Sequence, residues 1–333
     1  MTALARIAVL LAALLACALA RADGGLFVLS SARSPFDAAL LTRDYISGVA
    51  LQVGWRDVEP QEGRYDWSAI DAVVASARRS NKRITIHLLP LHPPPWVFAA
   101  GVQPFTFTMN FPGSPFAGRE QTEPLPWDPV YLQKWENLLR QFGGRYRSEP
   151  ALFAVSVTAP TPEMVLPGGI PRSESFQRLQ AIYSKDTYLR AWRRMIDAYG
   201  AAFPEQRKFL APGVVLVDEY FADDVLAYAL QRYGQRLWVF NAGLHAEGTA
   251  VARILRGHIH ELLREYAGKT HLGFQTIWSA TQDPGNRMRG PLRRALEYGA
   301  GMGAEYIEVY EVDVRNPALE PDLRYAAGLL RRR

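Results

Sequence analysis

The chain has 333 residues, 48% of them hydrophobic, and a formal net charge of +5. That is enough apolar material for one large core. The charge is too balanced for a nucleic-acid binder, and no basic cluster is interleaved with aromatics. The single cysteine, Cys17, excludes an internal disulfide and a cysteine-based metal site.

The N-terminus has the pattern of a secretory leader. Arg6 precedes an apolar run from Ile7 to Ala16, and small residues follow up to Ala22. The run is too short to span a bilayer as a stable helix. Cys17 closes Leu14-Leu15-Ala16-Cys17, which loosely resembles a bacterial lipoprotein signal, so two readings stand. Either Cys17 carries a lipid anchor, or cleavage at an A-x-A site removes it with the leader. Both readings export the remaining chain to the periplasm, the envelope or the outside. No membrane-spanning segment is expected in the mature protein. Removing residues 1–22 leaves a formal charge of +3.

From residue 23 onward, strand-like apolar runs alternate with helical patterns, the signature of a parallel sheet wrapped by helices. Strands are expected at 25–30, 48–54, 83–90, 151–158, 209–216, 236–241, 271–277 and 305–311. Helices fit at 67–79, 130–146, 179–201, 219–233, 248–267 and 290–299. Eight strands close a (β/α)8 TIM barrel, which needs roughly 250 residues. No repeat, linker or composition shift marks a second domain, so residues 23–333 read as a single barrel. The longest irregular stretch, 91–129, carries Trp96, Phe105, Phe107 and Trp127 among prolines and glycines. It follows strand three and should rise over the C-terminal face, where its rings suit sugar stacking or simply pack the loop down.

The most informative segment is 48–71. An apolar strand ends at Trp55, Glu59-Pro60 and Gly63 form the bend, and Tyr65-Asp66-Trp67-Ser68 with Asp71 opens a helix. These words resemble the second βα unit of the (β/α)8 glycoside hydrolases that use two carboxylates, the clan holding families 5, 10 and 42. The resemblance implies a carbohydrate substrate and no cofactor. It also implies an acid/base Glu after strand four and a nucleophile Glu ending strand seven. After strand four, Glu163 matches the first position, although Pro162 replaces the usual Asn. At strand seven the match breaks, because Gln275 stands where the nucleophile belongs. An amide keeps the shape of a carboxylate but lacks its nucleophilic charge.

Strand eight offers a replacement. Alternation turns Tyr306, Glu308 and Tyr310 inward and Ile307 and Val309 outward. A carboxylate inside a barrel is costly unless it is paired or does chemistry. Glu308 is therefore expected either as the second catalytic carboxylate or as the partner of Arg56 or His87. The supporting residues are Trp55 and Arg56 at the top of strand two, His87 on strand three, Trp96 and Trp127 in the long loop, Asn241 after strand six, and Gln275, Trp278 and Tyr310. Asn286 and Arg287 are placed to bond hydroxyls or a uronate carboxylate. Glu59 is expected to tie its loop.

No phosphate loop, nucleotide turn or nucleophile elbow is present. His258 and His260 fall on different faces of a helix, so no metal site is expected. The best reading is a glycoside hydrolase-like barrel with Glu163 as general acid and Glu308 as base or nucleophile. The rivals are a non-catalytic carbohydrate-binding barrel that has lost the nucleophile at Gln275, and an envelope scaffold without a sugar ligand.

Overall fold

The strand runs form where apolar side chains face both ways, and they pair in chain order. The computed structural model describes residues 24–109, 117–158, 173–211, 220–249 and 258–331. The segment expected to be a leader, with Cys17, and the expected general acid Glu163 lie outside these. The barrel strands are β1 (Gly25–Ser31), β2 (Gly48–Gly54), β3 (Arg83–Leu89), β4 (Leu152–Ser156), β5 (Arg207–Leu210), β6 (Leu237–His245), β7 (His271–Thr276) and β8 (Tyr306–Tyr310). All neighbours are parallel, and β8 returns to β1 with Leu26 opposite Ile307 and Val28 opposite Val309. The described strands thus close an eight-stranded parallel barrel wrapped by helices, as expected of a (β/α)8 fold.

The helices between the strands bury apolar stripes inward, whereas Glu174–Ile182 packs Leu179 on Phe105 and Phe107. Pro129–Tyr146 begins with the Asp128 side chain accepting from Tyr131 N, and Pro129 fits a first turn whose N–H has no helical partner. Its buried stripe of Tyr131, Leu132, Trp135, Leu138, Leu139 and Phe142 has helical spacing. The helix expected over 179–201 is two helices, Glu174–Ile182 and Lys185–Ala202. The break falls at Ser184, whose side chain caps the second by accepting from Thr187 N. Gly248 and Thr249, expected to open a helix, instead pair antiparallel with the end of β6. The stretch 91–129 is less irregular than expected. It holds a short helix, Pro95–Ala99, and a hairpin of Pro104–Thr108 with Glu120–Pro124. A further helix, Glu320–Leu330, closes the described chain.

The lower barrel interior is an aromatic plug. Phe27 and Tyr306 lie 4.3 Å apart, Phe153 stacks on Tyr306 at 5.8 Å, and Phe209 meets Trp238 at 5.5 Å. The Arg83 and Arg207 guanidinium groups each stand 4.6 Å from the Phe153 ring centre. One glycine makes this filling fit. A Cβ on Gly273 of β7 would sit 3.1 Å from the Phe240 ring and 3.4 Å from the Tyr306 ring. Valine at that position must push both rings, so Gly273→Val is expected to lose about 1–3 kcal/mol of stability in urea unfolding. An unchanged midpoint would show that the interior has slack the packing does not suggest.

Candidate functional site

Above the plug the barrel interior turns polar, because alternation brings hydrophilic side chains inward at the upper ends of β2, β3, β4, β7 and β8. Glu308 is at its centre and is fully buried. Its Oε1 accepts from the Tyr306 hydroxyl at 2.6 Å and lies 2.7 Å from His87 Nε2. With Glu308 ionised, Nε2 is the donor, since a carboxylate only accepts. The other ring nitrogen, Nδ1, lies 2.5 Å from Ser156 Oγ. Thr85 Oγ1 lies 3.1 Å from the Tyr306 hydroxyl. The hydroxyl's one proton serves the carboxylate, so Thr85 is the donor there. Burial, then the Glu308 charge, drives the Tyr306 phenol well above its ordinary value. Glu308 Oε2 has no partner among the described residues. Of the two partners expected for Glu308, His87 is the one that binds it. Arg56 is exposed and donates from Nη2 to Pro93 O at 2.9 Å.

Beside Glu308 and in register with it on the neighbouring strand, Gln275 is also buried. Gln52 Nε2 donates to Gln275 Oε1 at 3.4 Å, linking β2 to β7 across the interior. The Gln275 side chain also bonds the Tyr310 phenol, which burial pushes up to about 12. Trp278 lies 6.0 Å from the Tyr310 ring. The Arg287 guanidinium sits over Trp278, 4.4 Å from its ring centre, so one face of this indole is covered rather than open as a sugar platform.

Two carboxylates hold the loop that follows β7. Buried Asp313 accepts from Ser279 Oγ at 2.8 Å and from the Ala280 and Thr281 amides at 2.9 and 2.7 Å. Asp283 accepts from the Arg287 and Met288 amides, each at 2.7 Å. The Asp313 role was not readable from the sequence; Asp283, four and five residues before the amides it serves, carried only a turn signal.

The remaining expected residues lie apart from this layer. Trp55, expected at the substrate, is fully enclosed beside Trp96, Tyr131 and Trp135, and its Nε1 donates to Glu59 Oε2 at 2.8 Å. It is a core ring, with no face left for a ligand. Glu59 also accepts from Gly63 N, so it ties its loop. Trp96 Nε1 donates to Glu59 O, and Trp127 packs edge-on to Tyr183 and Tyr188. Asn241 is buried and accepts from Gly243 N. His258 pairs with Asp223 at 2.6 Å and His260 meets the Tyr298 hydroxyl. Among the described residues no group of His, Cys, Asp and Glu is arranged to hold a metal. Among them, too, no helix is long and apolar enough to cross a membrane.

The architecture has known counterparts. Residues 34–166 match the family model of the glycoside hydrolase family 42 β-galactosidases. The chain resembles the (β/α)8 glycoside hydrolases. A β-galactosidase from the Antarctic haloarchaeon Halorubrum lacusprofundi superposes with a TM-score of 0.57 at 12% identity, over 91% of this chain and 57% of that one. The β-galactosidase of Marinomonas ef1 gives 0.55 at 12%, over 91% and 59%. The catalytic domain of β-amylase from Paenibacillus polymyxa gives 0.54 at 9%, over 88% and 93%. This barrel therefore spans less than two thirds of the galactosidases' length. At such identities the structural likeness establishes the fold alone. Comparison with curated proteins gives no match.

One carboxyl of this glycoside hydrolase-like barrel stands out by its isolation. Glu123, in the hairpin that packs on Leu179, is 4% exposed, and its Oε2 has no partner among the described residues. Burial raises it from the ordinary 4.5 to about 8. Between those values the folded protein holds a proton that the unfolded chain has released, so stability falls as pH rises from about 4.5 to about 8. Glu123→Gln is expected to flatten that slope and to raise the unfolding midpoint above pH 8. Parallel pH profiles for the two proteins would disprove the isolated, protonated acid.

Proposed function

We propose that the barrel is a glycoside hydrolase-like protein that holds a glycan at its C-terminal mouth and does not run the two-carboxylate double displacement. The observation that carries this reading is Gln275. It sits at the upper end of β7, faces inward, and is tied to Gln52 and Tyr310. Retaining hydrolysis needs an ionised nucleophile on one side of the scissile bond and an acid on the other. The amide cannot attack an anomeric carbon, and Glu308, beside it on the neighbouring strand, is fully buried and bonded to His87 and Tyr306. What the layer does offer is recognition. Two amides and a phenol present both donors and acceptors, as sugar hydroxyls require.

Hydrolysis is the second reading. It is favoured by the family match, which runs to residue 166 and so takes in Glu163, the expected general acid. A glycan would then be cleaved by water with a base other than Gln275.

The two readings separate on affinity and turnover measured together against a panel of oligosaccharides. The binding reading expects affinity without release of reducing ends, and a loss of about tenfold or more in affinity for Gln275→Ala. Reducing ends released by the wild type and abolished in Glu163→Gln, with affinity retained, would replace it with the hydrolytic reading.

A further inference from the structure

The buried groups with unspent chemistry include Lys208 on β5 and the hydrogen-bond chain that ends at Ser156. Lys208 is 1% exposed, and its amine donates to Pro204 O at 3.3 Å and stands over Tyr233, so it is a packed group out of reach of any ligand. Ser156 is different, because it ends a chain of hydrogen bonds with a single direction.

We propose that Ser156, His87 and Glu308 form a serine–histidine–carboxylate relay that hydrolyses small carboxylic esters. Ser156 is the nucleophile, His87 the general base, and Glu308 the residue that positions the imidazole. This activity goes beyond the glycan-holding reading and does not depend on Gln275.

Strand register places the relay. β3 and β4 pair at Ile86 and Val155, whose side chains belong to the core outside the barrel interior. The next residue on each strand, His87 and Ser156, therefore turns inward, and the two stand side by side. Ser156 is the last residue of β4, at the end of the barrel where this fold carries out its chemistry.

The direction of the chain makes it a relay. Thr85 donates to the Tyr306 hydroxyl, and Tyr306 donates to Glu308 Oε1. With Glu308 ionised, His87 Nε2–H donates to the same oxygen. An imidazole with its proton at Nε2 has its lone pair at Nδ1, 2.5 Å from Ser156 Oγ, so the serine hydroxyl is the donor there. A general base needs this arrangement: an acceptor nitrogen on the nucleophile's proton, and an N–H held by a third group. The two ring nitrogens have exchanged places relative to the usual serine hydrolase triad.

Exposure falls along the chain from 8% at Ser156 to 5% at His87 and none at Glu308, the order expected from nucleophile to anchor. So small an opening at Ser156 limits the acyl group to a short one. Gln52 is half-buried and in register with His87. Among the described residues, one of its two amide N–H groups has a partner, Gln275 Oε1 at 3.4 Å. Its second N–H is the donor assigned to the ester oxygen as negative charge develops there.

The reaction runs in two halves. Ser156 Oγ attacks the acyl carbon while its proton passes to His87 Nδ1. The carbon–oxygen bond to the leaving alcohol then breaks, and Nδ1 returns the proton to that oxygen. Water attacks the acyl-serine in the same way, giving up a proton to Nδ1. The acid leaves and Oγ takes the proton back. Glu308 accepts from Nε2–H throughout.

The test treats the purified wild-type protein with a fluorophosphonate, which labels activated serines, and follows p-nitrophenyl acetate hydrolysis in parallel. The adduct is expected on the peptide that carries Ser156, and ester turnover is expected to stop once that site is labelled. Ser156→Ala should lose both. Glu308→Gln should lower kcat about a hundredfold or more with KM kept, because an amide no longer fixes the proton at Nε2. A folded wild type with no adduct at Ser156, or turnover that persists in Ser156→Ala, would overturn the relay. A Glu308→Gln protein with unchanged kcat would remove Glu308 from it. None of these results bears on glycan affinity, which Gln275→Ala reads separately.

Discussion

A carboxylate buried in the middle of a barrel has to be satisfied, and the interior of this protein is arranged around doing so. Glu308 would be prohibitively costly without donors. It receives them from Tyr306 on its own strand and from His87 on β3, and His87 in turn meets Ser156 on β4. The network ties three barrel strands by side chains in addition to their backbone ladders. It also commits Tyr306 to two tasks at once, since its ring completes the aromatic plug below and its hydroxyl serves the carboxylate above.

That commitment shapes what remains at the mouth. With Glu308 turned to internal bonding and an amide at Gln275, the layer formed by Gln52, Gln275 and Tyr310 is one of neutral hydrogen-bonding groups. Rigidity there comes from carboxylates spent on backbone amides, Asp313 and Asp283, rather than aimed at a ligand. The acidic groups around this layer are thus used as braces.

The barrel was legible in the sequence because strands buried on both faces read as uninterrupted apolar runs, and the spacing of the helical stripes between them left few other arrangements. The inward turn of Glu308 followed from period-two alternation, while the cost of a buried charge called for a role or a partner and left Arg56 and His87 both open; the structure gives His87. Other features were hidden for physical reasons. Ser156 looks like any small polar residue at a strand end until His87 is placed beside it. The hairpin strand with Phe105 and Phe107 alternates as a strand should, but its prolines and glycines made the stretch read as a loop. Ser184 splits a helix whose apolar stripe continues on both sides. Trp55 ends a barrel strand, where a substrate ring is expected, yet the backbone turns at once into a short helix and carries the indole into the core. No sequence pattern distinguishes those two outcomes.

The most direct test of this account is a double-mutant cycle on His87→Ala and Glu308→Gln, read as unfolding free energy in urea. A carboxylate committed to the buried network predicts a coupling of about 1–3 kcal/mol between the two positions, with each single variant clearly destabilised. Additive effects near zero would mean that Glu308 does not depend on His87. The carboxylate would then be free for chemistry, and the account would be contradicted at its centre.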